Sequence, residues 1–307
     1  MRSLPVLPAR VRGHALAVAL ALVVLPLAAC GSDAKSSDST TSGSTSSTSS
    51  GSTSSPAGTV PSTVFFVRDE KSSTESGEVR TKPVVGAARA HVEEGKEAAG
   101  LAAALLAGPD PAAEAAGLRS ELPTGAAGLS IAVAGSTATV DVPGALSSPT
   151  DAPTADLRLA QIVFTATELP GVTSVRILVD GAPVTDFAGT GRALPATLTR
   201  ADFADVTPKI LLTSPLPGDL VTPTFHVTGS ATVFEATFEL TVTGGDGKEL
   251  AKQTVTATAG APETGTFDTS VKVTVSGTTP ATLAVAAASP VDGTPQFSVR
   301  LPITIAP

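Results

Sequence analysis

ADLRLAQIVFTATELPGVTSVRILVDG, residues 155–181, changes its hydrophobic period once, and that change decides the fold class of the first half of the chain. Over Ala155 to Glu168, Leu157, Ala160, Gln161 and Phe164 recur three or four residues apart, one stripe of a helix. Leu169-Pro170-Gly171 stops it, because proline cannot continue a helix. Val175 to Val179 then reads as a strand closed by the Asp180-Gly181 turn. Working backwards, Leu129 to Ala134 and Thr137 to Val142 alternate around Gly135-Ser136, a tight hairpin. Ala98, Leu101, Ala102, Leu105 and Leu106 line one face of a helix over Glu97 to Ala107, ended by Gly108-Pro109. Val64-Phe65-Phe66-Val67 is a short apolar run read as a buried strand, followed by a polar stretch. The order is β-α-β-β-α-β over residues 62–185, with both helices expected on one face of the sheet, an α+β sandwich.

Residues 186–208 are rich in Pro, Gly and Ala and read as an interdomain connection. Within it, Leu198 to Phe203 either docks one domain on the other or forms a short helical turn. From Ile210 the pattern is strands alone. Phe234, Ala236, Phe238, Leu240 and Val242 alternate with Glu235, Thr237, Glu239, Thr241 and Thr243, predicting one core face and one wet face. About seven short strands in ~100 residues predict an all-β immunoglobulin-like sandwich over 209–307. It lacks the Cys-Trp-Cys core of antibody domains and must hold by packing alone.

The N-terminus reads as a targeting segment. Arg2, Arg10 and Arg12 precede the apolar run Ala15 to Leu27, which ends in Leu27-Ala28-Ala29-Cys30. The run is shorter than the ~20 apolar residues a spanning helix needs. The stretch resembles the lipobox of bacterial lipoprotein signal peptides. That resemblance implies cleavage after residue 29 and lipidation of Cys30, the sole cysteine. The expected location is the cell membrane, lipid-anchored and facing outward. Residues 30–61, almost entirely Ser, Thr and Gly, read as a disordered tether with an r.m.s. reach of about 30 Å. Its Ser/Thr density suits O-glycosylation, whereas N-glycosylation is excluded because the chain has no Asn. Loss of residues 1–29 removes three of 20 basic residues and none of 28 acidic ones, taking the net charge from −8 to −11. That balance argues against nucleic acid and against anionic head groups as partners.

Five segments recur in the order found in a known family: Leu105 to Pro109, Leu122-Pro123-Thr124-Gly125, Ala138 to Val142, Leu159 to Thr165, and Val175 to Gly181. Together they resemble the GerMN domain of sporulation and germination lipoproteins and of other Gram-positive envelope lipoproteins. The resemblance implies a fold related to ring-building modules of secretion-like assemblies, and no catalytic residues. Ser214 to Gly218 followed by Val227 to Ala236 resembles the immunoglobulin-like domain that accompanies GerMN in germination-type proteins. The Ala-rich, Lys-poor composition resembles that of high-GC actinobacteria, many of which make no endospores.

No constellation for catalysis emerges. His91 and His226 fall in different expected domains and read as surface histidines, so no metal or cofactor is expected. Gly189-Thr190-Gly191 lacks the third glycine of a dinucleotide fingerprint, and Gly247-Lys248-Glu249 is not a phosphate loop. Glu93-Glu94 and Asp202 with Asp205 read as solvated carboxylates. Aromatics are 3% of the chain, with no Trp or Tyr, which disfavours sugar platforms and small-ligand pockets. The expected function is a lipid-anchored binding or scaffolding protein of the cell envelope. Its partner is an envelope protein or the wall, met chiefly by the GerMN-like domain, with Asp141 and Arg176 as the candidate interaction-surface residues, each read alternatively as half of a structural ion pair. The alternative is an accessory subunit of a membrane enzyme, transporter or sensor kinase. A wall hydrolase is the third reading.

Overall fold

The computed structural model describes residues 58–307 except Glu75 and Arg192. The expected signal peptide, Cys30 and most of the expected tether lie outside the described residues. The chain then runs β1 (Thr59–Ser73), β2 (Val79–Glu93), α1 (Glu97–Ala107), α2 (Pro111–Ala115), β3 (Ser130–Ala134), β4 (Thr137–Val142), α3 (Ala152–Ala166), β5 (Ser174–Val179) and β6 (Ala182–Pro183). The all-β half follows as β7 (Ile210–Ser214), β8 (Leu220–Val221), β9 (Thr224–Ala231), β10 (Thr237–Gly244), β11 (Glu249–Thr256), β12 (Gly265–Lys272), β13 (Thr279–Ala288) and β14 (Pro295–Ile305). The α+β domain followed by an all-β sandwich is as the sequence predicts.

Two differences in the first domain share one cause, burial on all sides. Strand β1 starts at Thr59, inside the expected tether, and pairs along 15 residues with β2, which the sequence reading missed. Val64–Arg68 and Val84–Ala88 are buried without alternation, so no wet face marks the period. Phe65 meets Phe164 of α3 edge-to-face at 5.3 Å. Arg68 and Glu70, of opposite parity along the strand, reach the backbone of residues 209 and 210 instead. At Gly86 a Cβ would stand 2.6 Å from the end of the Leu118 side chain, so a larger residue would require that side chain to shift.

Helix α3 is likewise buried nearly all round, from Leu157 to Ala166, and is not a one-sided cover of a sheet. Its polar residues serve its surroundings. Thr165 accepts from Phe65 N, Gln161 bonds Glu121 N and Ser120 Oγ, and Arg158 donates to three backbone carbonyls. The four-stranded sheet runs β3-β4-β5-β6, with β4 and β5 parallel across the α3 crossover. Short α2 opens on Asp110, whose carboxylate caps Ala113 N, with Pro111 at the first helical position.

The stretch 186–208 differs from the expected connection. Phe187, Ala188, Leu198 and Phe203 are buried in the first core. Leu198 bridges Val175 of β5 in antiparallel sense, outside the three strand pairings of the sheet. Arg200 lies over the rings of Phe65 and Phe164, at 5.2 and 4.9 Å, and bonds Phe164 O, Thr167 and Glu168 at the end of α3. Apolar residues spaced among Pro, Gly and Ala carry no period and read as a connection, whereas the short helical turn weighed for Leu198 to Phe203 is present as a 3-10 helix over Arg200–Val206.

The second domain packs two sheets, β11-β10-β13-β14-β8 and β12-β9-β7. Its core includes Phe225, Phe238, Leu240, Val242, Phe267, Leu283 and Leu301. The expected core face of β10 holds for Phe238 and Leu240 and fails for Phe234, which is 62% exposed. Glu235 and Ala236 take left-handed backbone, φ 55° and 58°, in a 3-10 turn that rotates Phe234 out of phase with the strand.

Phe238→Ala should cost about 3–5 kcal/mol in urea unfolding. Thr237→Ala and Phe234→Ala should each cost less than about 0.5. A cost for Phe234→Ala matching that of Phe238→Ala would contradict the exposed turn. Asp151 caps α3 by accepting from Thr154 N, and hydrogen bonds from Thr154 hold its carboxyl below the ordinary range. The stability this adds is present above the ordinary aspartate pKa and is lost as pH falls through the lowered one. Asp151→Ala should therefore lower stability near neutrality and flatten the acid limb, read from unfolding midpoints across pH.

Candidate interaction surface

Solvent faces the side of the β3-β4-β5 sheet away from Val140, Val142 and Ile177. Register places Ala132, Thr139 and Arg176 in one row, and Ser130, Asp141 and Leu178 in the next. The structure thus brings Asp141 and Arg176 to one face, as diagonal neighbours. It does not pair them. Asp141 accepts from Gly181 N at 2.8 Å, while Asp180 accepts from Gly144 N at 3.0 Å, and the two carboxylates tie down the turns at one end of the sheet. Arg176 projects into solvent.

The edges of this sheet differ in protection. Two-residue β6, which contains Pro183, closes the β5 side. On the other side β3, Ser-Ile-Ala-Val-Ala, carries no charge, and Val133 is 45% exposed. In the second domain, edge strand β11 carries Glu249 and Lys252, and β12 carries Asp268 and Lys272. Charged edges resist pairing with other chains, and β3 has no such defence. The reading singled out the face and not this strand, although the missing charge between Gly128 and Gly135 was visible.

The remaining candidates fall out as ordinary surface. His91 is exposed on β2. His226 pairs across strands with Asp268 at 2.6 Å, both exposed. Glu93 pairs with Lys96, and Asp202 caps Thr199. Among the described residues, no group of three or more His, Cys, Asp or Glu could hold a metal. No helix among them is long and apolar enough to cross a membrane.

The sequence reading also missed the contacts joining the two domains. Arg89 on β2 donates through Nε and Nη2 to both oxygens of Asp219, at 3.1 and 2.7 Å. Asp219 also accepts from Leu216 N. Arg68 donates to Glu70 and to Ile210 O, while Glu70 accepts from Lys209 N at 3.0 Å. Burial pushes the Glu70 carboxyl up, against the pull of the Arg68 charge, and pushes the Arg68 guanidinium down. Leu211 and Leu216 of the second half belong to the first core. The fold is therefore an α+β domain clamped to an immunoglobulin-like one.

Comparison with known proteins gives both halves a family. Residues 63–185 match the family described as sporulation and spore germination, and residues 209–294 the immunoglobulin-like domain of bacterial spore germination. Both resemblances read from the sequence are thereby shown. Among solved structures, the first GerMN domain of the sporulation protein GerM from Bacillus subtilis is 16% identical. That match covers 44% of this chain and 98% of the other, with a TM-score of 0.32. The tandem GerMN domains of that protein are 15% identical over 81% of this chain, with a TM-score of 0.37, and the match spans 61% of their length. A Clostridium perfringens protein described as a lipoprotein is 20% identical, covering 49% of this chain and 93% of its own, with a TM-score of 0.32. No curated protein matches.

Arg89→Ala leaves the Asp219 carboxylate buried without its cation and should cost about 3–5 kcal/mol. Scanning calorimetry should then resolve two transitions where the native chain shows one. A single transition with an unshifted midpoint would mean the clamp carries no coupling.

Proposed function

We propose that this chain is a lipid-anchored, extracytoplasmic binding or scaffolding protein of the cell envelope, acting through protein surfaces. The observation that carries the reading is the uncharged, exposed edge β3 beside the open face bearing Arg176, on the sporulation-and-germination domain. A strand edge with free N–H and C=O groups suits the addition of a partner's extended segment. The families matched are those of sporulation and germination, which supports a role in the envelope changes of those processes. The Leu-Ala-Ala-Cys stretch supports attachment through lipid at Cys30. Removing either domain would uncover the clamp, so point changes on the intact chain test the surface better than deletions do.

A photo-crosslinker placed at Ala132 in intact cells should capture an envelope protein, and the added change Val133→Lys should abolish capture. Capture that survives Val133→Lys, or that comes equally from Lys272 on the second domain, would reverse the assignment. Cys30→Ser should release the protein to the medium or leave an uncleaved precursor. Normal acylation and processing of that variant would overturn the anchor. Cleavage of peptidoglycan by the purified protein, abolished by one substitution, would make it an enzyme.

A further inference from the structure

A cleft of about 520 Å³ lies where the far end of the β1–β2 hairpin meets β14. Lys71, Ser72 and Ser73 of β1 line it from the first domain, and Ser298 and Arg300 of β14 from the second. Arg68 and Asp69 also border it, but their charges are matched: Arg68 pairs with Glu70, and Asp69 with Arg119 at 3.0 Å. Lys71 and Arg300 are exposed and have no ion pair among the described residues. Two unmatched cations thus line one concavity, each from a different domain, in a chain with 28 acidic and 20 basic residues.

We propose that this cleft binds an oxyanion-bearing ligand, phosphate or carboxylate, between Lys71 and Arg300. The two cations line one recess without a counter-charge, and an anion bound there supplies it. A guanidinium, an ammonium and serine hydroxyls are donors suited to oxyanions. The cleft is held open in advance. Gln296 on β14 donates to Ser73 O, and Arg89 clamps Asp219, so little ordering is needed on binding. Because each domain supplies one cation, the site exists only in the joined chain. It does not depend on what occupies the β3 edge or on the lipid.

Isothermal titration of the whole protein with inorganic pyrophosphate, poly(glycerol phosphate) and citrate at low salt tests it. At least one probe should bind saturably and be displaced by salt. Lys71→Glu and Arg300→Glu should each weaken binding about tenfold or more. Lys272→Glu, with the same change in net charge on β12, should leave it intact. Binding of the phosphate probes alone identifies phosphate as the ligand group, and binding of citrate admits carboxylates. The milder Lys71→Gln, checked for an unchanged thermal midpoint, guards against misfolded reversals. Absence of saturable binding by all three probes, or equal loss in Lys272→Glu, would overturn the site.

Discussion

The β1–β2 hairpin has no free face over its central residues, and the rest of the molecule is arranged around that fact. Phe65 needs α3 on one side. On the other, Arg68 and Glu70 need the start of the second domain. A two-stranded ribbon is marginal by itself in water. Here each face is covered by a different layer, so the first domain does not complete its core without the second. Leu211 and Leu216, although they lie in the immunoglobulin-like half, complete the core of the α+β half. The buried polar groups on this ribbon follow from the same coverage. Phe65 N would be orphaned without Thr165, and Val67 finds both of its backbone partners on Arg119.

Legibility followed exposure. Helix α1, hairpin β3–β4 and strand β10 each have a wet side, and water imposed the period by which they were read. Thr237, Glu239 and Thr241 mark the register of β10 as clearly as Phe238 does. The centres of β1 and β2 and the far side of α3 have no wet side, so Val84-Val85-Gly86-Ala87-Ala88 carried no alternation to detect. Gln161, the polar member of the α3 stripe, ties down residues 120–121. Phe234 failed for another reason. Two consecutive left-handed residues without glycine are not written in composition, and they shifted the phase by rotating the backbone.

The surface was less legible than the fold, because its features are relations between distant residues. Asp141 and Arg176 could be placed on one face from sequence, but their lack of contact could not. Arg89 and Asp219 are 130 positions apart, and Lys71 and Arg300 further still. Each looks like an ordinary surface charge until the clamp of the two domains brings it to its place. Charge defence of edges is different, since it is local. The bare strand β3 stood beside well-defended β11 and β12 in the sequence itself.

The hairpin also sets how the molecule answers to tension. Thr59, where β1 begins, sits at the end of the ribbon opposite to Ser73, the residue that β14 holds through Gln296. A pull on Thr59 against a load held by the second domain therefore runs along the strand axis, over about 50 Å of ladder at strand rise. In that direction the tension is carried by the backbone of β1 itself, with the ladder to β2 keeping it straight. The same ribbon that joins the domains thus acts as a tie rod between residue 59 and the second domain.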